Sequence, residues 1–85
     1  MLYNGLMVTV YSSPTCAFCH MATRYFDSKN VKYTEKDITQ DADAFHFVVD
    51  TIGQAATPVI DIDGITVLGF DRPKIDEALR AKKLV

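Results

Sequence analysis

The chain holds two cysteines, and they stand in one motif, Cys16-Ala17-Phe18-Cys19, directly after the break Ser12-Ser13-Pro14. Thiols at this spacing can close a small ring with each other or attack a partner's disulfide in turn. Their types and spacing therefore specify dithiol redox chemistry. A helix that begins at the motif sharpens the expectation. Cys16 then sits where unpaired backbone N–H groups and the helix dipole favour a thiolate, the setting that brings a thiol from ~8.5 into the range ~3.5 to ~7.5. Cys19 lies a turn further in, on an apolar face with Ala22 and Phe26, and should hold its proton longer. Cys16 is the expected nucleophile and Cys19 the resolving thiol. Phe18, between them, is expected to be an exposed apolar contact for a protein target.

The same residues allow other uses. With His20 the motif also spells C-x-x-C-H, a haem-attachment pattern, but the last methionine is Met21, so no later methionine could serve as a distal ligand. Zinc would have to draw on Cys16, Cys19, His20 and His46, the complete set of Cys and His. No second paired-ligand motif accompanies them, and adjacent Cys19 and His20 point to different helix faces. Both histidines are expected at or near the surface, and no metal ligand is assigned. A non-catalytic carrier, holding an iron–sulfur cluster through a cysteine thiolate and outside thiols, is the alternative from a different functional class.

The surrounding pattern supplies elements to position the motif. Met7 to Tyr11 reads as a buried strand, and Thr15 or Cys16 to Lys29 as a helix that Asn30 can end. Val31 to Asp37 alternates as a second, more exposed strand. A helix over about Ala42 to Ile52 should turn Phe45, Val48, Val49 and Ile52 inward and stop at Gly53. Val59 to Ile62 and Ile65 to Leu68 flank Asp63-Gly64, a strong hairpin signal. The last helix begins near Asp71, with Pro73 in its first turn and Ile75, Ala78 and Leu79 as its apolar face. The order β-α-β-α-β-β-α calls for a mixed four-stranded sheet flanked by helices, its first two strands parallel through a right-handed crossover.

Two further positions invite a functional reading. Pro58 opens an apolar strand, where its missing N–H is tolerated. A cis bond there would set the backbone of Thr57 beside the cysteines, ready to pair with an extended peptide. Asp71 can cap its helix, and it could also hold a ligand's ammonium group.

Composition bounds the rest. Eighty-five residues make one domain, 1–85, able to bury roughly two-thirds of its unfolded surface. A hydrophobic content of 48% suits a globule, and a net charge of −2 has the wrong sign for nucleic acid. The adjacent Lys82 and Lys83 suit a helix C-terminus. No run is long enough for a membrane span, and Met1 to Gly5 lacks the charge of a signal peptide, so a cytoplasmic monomer is expected.

Tyr11-Ser12, Ser13-Pro14-Thr15-Cys16-Ala17-Phe18-Cys19, Thr57-Pro58-Val59 and Gly69-Phe70-Asp71, in this order, resemble a glutaredoxin of the thioredoxin superfamily over essentially the whole chain. The resemblance implies the minimal thioredoxin fold with Pro58 cis, and thiol–disulfide oxidoreductase activity through Cys16 and Cys19. It also implies no tightly bound cofactor, glutathione as co-substrate, and a glutathione site at Cys16, Thr57, Phe70 and Asp71. Several positions depart from that family. Ser13 stands where a lysine is usual, Gln54-Ala55-Ala56 where basic residues are common, Arg72 where a second acid often follows, and Ala17-Phe18 where Pro-Tyr is familiar. Gly69-Phe70 and Arg72-Pro73-Lys74-Ile75 are also similar to NrdH-type redoxins. That alternative implies reduction by thioredoxin reductase and electron donation to ribonucleotide reductase.

Overall fold

Val8-Thr9-Val10-Tyr11-Ser12 combines β-branched and aromatic residues, which favour a pleated surface. In the computed structural model, which describes residues 8–82, this run forms β1 (Val8–Ser12), buried along its whole length. The strand start expected at Met7 lies outside the described residues, as does Lys83. There follow α1 (Ala17–Ser28), β2 (Thr34–Asp37), α2 (Ala42–Ile52), β3 (Val59–Ile62), β4 (Ile65–Leu68) and α3 (Arg72–Ala81). The sheet runs β2-β1-β3-β4. β1 pairs in parallel with β2, Thr9 opposite Thr34, and antiparallel with β3, Val10 opposite Ile60. β3 and β4 form the antiparallel hairpin, Ile62 opposite Ile65, and Asp63 and Gly64 both take positive φ in its turn.

Strand alternation gives the sheet two apolar faces. Val8, Val10, Ile60, Ile62 and Val67 meet Ala22 and Phe26 of α1 and Ile75, Ala78 and Leu79 of α3. On the other face Tyr11 and Val59 meet Ala44 and Val48 of α2, and the Tyr11 ring stacks on Phe47 with centroids 4.8 Å apart. The sheet is thus fixed from both sides, and the C-terminal end of β1 has one place to deliver the cysteine motif.

Two expectations need correction. The second strand begins at Thr34, not Val31. Asn30 turns left-handed at φ 58°, and the N–H groups of Asn30 and Val31 donate to Asp27 and Phe26 carbonyls in a Schellman closure. Val31 is spent on that closure and buries against the core, so extension starts only after Tyr33. The second correction is in α2, where Phe45 is 40% exposed and Ala44 is buried in its stead. The bulky Tyr11 ring occupies the facing surface and takes Phe47 as its partner, so the helix presents small Ala44 beside it.

The last helix is as expected. Asp71 caps it, its carboxylate accepting from the Lys74 amide at 3.3 Å, and Pro73 falls in the first turn. Lys82, at its end, reaches Asp63 in the hairpin turn at 3.7 Å. Among the described residues no helix is long and apolar enough to cross a membrane.

Candidate redox site

Ser13 to Cys16 forms a tight turn after β1, closed by the Cys16 amide donating to the Ser13 carbonyl at 3.2 Å. The turn delivers Cys16 as the N-cap of α1, with extended backbone at φ −90°. Its sulfur does what a cap side chain does: Sγ accepts from the Cys19 amide at 3.1 Å. The two cysteines are joined as a disulfide, with Cα atoms 5.3 Å apart, so the site stands in its oxidised form. The motif is asymmetric. Cys16 is half-buried, while Cys19 is fully buried beneath the first turn with Ala22 and Phe26 along the same face.

Phe18 is 60% exposed at the motif, as the sequence led us to expect. Met21, a helical turn further on, is exposed as well; i, i+3 spacing, visible in the sequence, sets it on the same side. His20 and His46 are both exposed. Among the described residues no group of three or more His, Cys, Asp and Glu side chains is placed to hold a metal ion.

The peptide bond Thr57–Pro58 is cis, and Pro58 is buried at the head of β3. Two hydrogen bonds tie this corner to its neighbours. The Ser13 and Thr57 hydroxyls lie 3.3 Å apart, linking it to the cysteine turn, and the Gly69 amide donates to the Pro58 carbonyl at 2.8 Å. Gly69, at φ 79°, leads into Phe70 and Asp71. The expected site residues Cys16, Thr57, Pro58, Phe70 and Asp71 therefore stand on three loops joined by contacts. The Phe70 side chain, however, is half-buried: it packs edge-on against Tyr25, with ring centroids 5.9 Å apart, and lies against the core cluster. The Ser13–Thr57 bond spans 44 positions, and nothing in local sequence announces it.

Beside the cysteine turn, toward β2, lies a hollow of about 300 Å³ lined by Ser12, Ser13, Pro14, His20, Glu35 and Asp37. Carboxylates, not lysines or arginines, are its charged walls. A second groove, of about 370 Å³ between β4 and α3, is lined by Ile65, Val67, Lys74 and Ala78 among others and includes no residue of the redox loops.

The glutaredoxin family profile matches residues 8–67, which contain both cysteines and the cis proline. The chain belongs to the glutaredoxin family. It is 32% identical over 73 residues to a glutaredoxin-like 8.6 kDa protein from the rubredoxin operon of Clostridium pasteurianum, covering 86% of this chain and 97% of that one. It is 31% identical over 64 residues to glutaredoxin 3 of Escherichia coli, covering 75% and 77%. Among solved structures it is similar to the thioredoxin-like protein BC3987, at TM-score 0.78 and 32% identity over 85% of this chain and 99% of the other. The four-stranded mixed sheet with its three helices is the minimal thioredoxin fold of this glutaredoxin family, which supports thiol oxidoreductase activity, with glutathione as the family's co-substrate.

Proposed function

We propose that this glutaredoxin reduces disulfides of protein targets, and mixed disulfides with glutathione, through the Cys16–Cys19 dithiol in the cytoplasm, as a monomer. One observation carries the reading: Cys16 caps α1 half-exposed while Cys19 is buried behind it. In the reduced protein the Cys19 amide and the helix N-terminus favour a thiolate on Cys16. That thiolate attacks one sulfur of the target disulfide, forming a Cys16–target bond and releasing the other target sulfur, which takes up a proton. Cys19 then gives up its proton and attacks Cys16, forming the 16–19 disulfide and expelling the remaining target thiol. Two electrons pass from protein to target. On a glutathionylated target the first step alone removes the glutathione and leaves Cys19 dispensable.

Thr57, Pro58, Phe70 and Asp71 form the recess that receives the substrate's backbone next to the attacked sulfur, and Phe18 adds an apolar contact. Electrons return from glutathione or, in the NrdH-like alternative, from thioredoxin reductase, with ribonucleotide reductase as a target. The alternative is favoured by one feature, the lack of lysine or arginine at Ser13, at Gln54-Ala55-Ala56 and among the residues lining the hollow beside Ser13. No lysine or arginine stands there to attract the carboxylates of glutathione.

The deciding experiment follows NADPH oxidation with a small disulfide substrate in two arms. One arm contains glutathione with glutathione reductase, the other thioredoxin reductase alone. Turnover in either arm supports the oxidoreductase reading and names its electron source. Turnover in neither, with a visible absorption band and bound iron in the purified protein, would point to the carrier role.

A further inference from the structure

Tyr25 lies nine positions beyond Cys16 on α1 and has no part in the chemistry described so far. Yet four partners converge on it. Its hydroxyl donates to an Asp76 carboxylate oxygen on α3. Phe70 meets its ring edge-on at an interplanar angle of 74°. The Arg72 guanidinium stands 4.9 Å from the ring centroid, and the Lys29 ammonium 5.2 Å from it. Three of these partners belong to Phe70–Asp76, the segment that leaves the redox site and enters α3.

These contacts close a circuit around the recess. From Cys16 the path runs through the Ser13 carbonyl, the Ser13–Thr57 hydroxyl pair, and the Gly69 amide on the Pro58 carbonyl. It then passes to Phe70 and returns through Tyr25 to the cysteine helix. Every other link lies at the loops themselves. Tyr25 ties the Phe70–Asp71 wall to α1 through its ring, beside the packing of Phe70 on the shared core, and its hydroxyl bond to Asp76 fixes the ring's orientation. Phe70 and Arg72 grip the two sides of Asp71, so the position of that residue depends on the ring.

We propose that Tyr25 is a positioning residue for the substrate recess: it holds the Gly69–Arg72 segment at the distance from Cys16 that a bound peptide requires, without touching substrate or sulfur. The proposal rests on the disulfide-exchange reading given above. It predicts that loss of the ring impairs reactions that need the recess and spares the intrinsic reactivity of the thiol.

The test compares two reactions of the reduced protein. In the first, Cys16 displaces thionitrobenzoate from its mixed disulfide with a cysteine-containing peptide, forming the peptide mixed disulfide and releasing the yellow thiolate. The second is alkylation by iodoacetamide, which is too small to need the recess. Tyr25→Leu removes the edge-on aromatic contact, both cation–π contacts and the hydroxyl bond together, and should slow the peptide reaction by about tenfold or more. Its alkylation rate should match wild type. Tyr25→Phe and Asp76→Ala each lose the same hydrogen bond, so each should slow the peptide reaction by roughly threefold. The double variant should be no slower than either single one.

An unchanged peptide rate in Tyr25→Leu overturns the proposal, as does an equal loss in both reactions, which would make Tyr25 a general support of the helix. Should Tyr25→Leu not fold, the Tyr25→Phe and Asp76→Ala pair decides, and additive losses or none would overturn the proposal. A wild-type protein that reacts with the peptide disulfide no faster than free cysteine would instead remove the disulfide-exchange reading itself.

Discussion

The chemistry rests on a difference between two like residues. Cys16 and Cys19 share a side chain, but one occupies a cap and the other a core position. A cap sulfur accepts backbone N–H groups that a carboxylate or hydroxyl would otherwise take, and it remains within reach of a partner. A core sulfur is shielded until the first bond has formed. This difference was legible in the sequence, because the run Cys19, Ala22, Phe26 marks the inward face and leaves Cys16 at the helix start. Phe18 stands between them with 60% of its surface exposed. Burying a phenylalanine and then truncating it costs about 3–5 kcal/mol, whereas an exposed one changes stability by about 0.5 kcal/mol or less. Phe18→Ala should therefore leave the urea midpoint nearly unchanged and raise the KM for a protein disulfide severalfold. A large loss of stability with unchanged KM would assign Phe18 to packing.

At the level of elements, the caps decide where each helix begins. α2 starts because Asp41 takes the Ala44 amide at 3.1 Å, and it stops at Gly53 in left-handed backbone at φ 93°. Asp41→Ala should cost about 1 kcal/mol, read as a lower thermal midpoint by about 4–8 °C. No change would mean that packing of Ala44 and Val48 holds the helix without its cap. Helix ends were readable because caps are local: Asp71, Gly53 and Asn30 each act within a few residues. The phase of α2 was not. Phe45 and Phe47 are equally apolar, and the choice between them is made by Tyr11, which is distant in sequence and stacks on Phe47. The late start of β2 has a similar origin, since Val31 serves both the Schellman closure and the core. The links Ser13–Thr57 and Tyr25–Asp76 span 44 and 51 positions and are products of the assembled fold.

For the molecule as a whole, the sheet carries its two cores on opposite faces and the redox motif at the end of its central strand. The smaller core, on the α2 face, buries a titratable group. Burial, followed by the Asp61 and Asp41 carboxylates, raises the Tyr11 phenol above its ordinary value. Below about pH 10 the phenol is neutral in both folded and unfolded chains. Above that, the unfolded chain ionises first, so stability is retained up to about pH 10 and falls as pH rises beyond it. Urea midpoints followed from about pH 9 to about pH 11 should drop more steeply for wild type than for Tyr11→Phe. Parallel curves would mean that the Tyr11 phenol does not couple to stability in this range. Trapping the intermediate decides whether Cys16 attacks and Cys19 resolves. Reduced Cys19→Ser and Cys16→Ser proteins are each mixed with a disulfide-bonded protein substrate, quenched in acid and weighed by intact mass. A stable mixed disulfide through Cys16 is expected in Cys19→Ser and no adduct in Cys16→Ser. An adduct that forms through Cys19 when Cys16 is absent, at the rate seen for the other variant, would contradict that assignment.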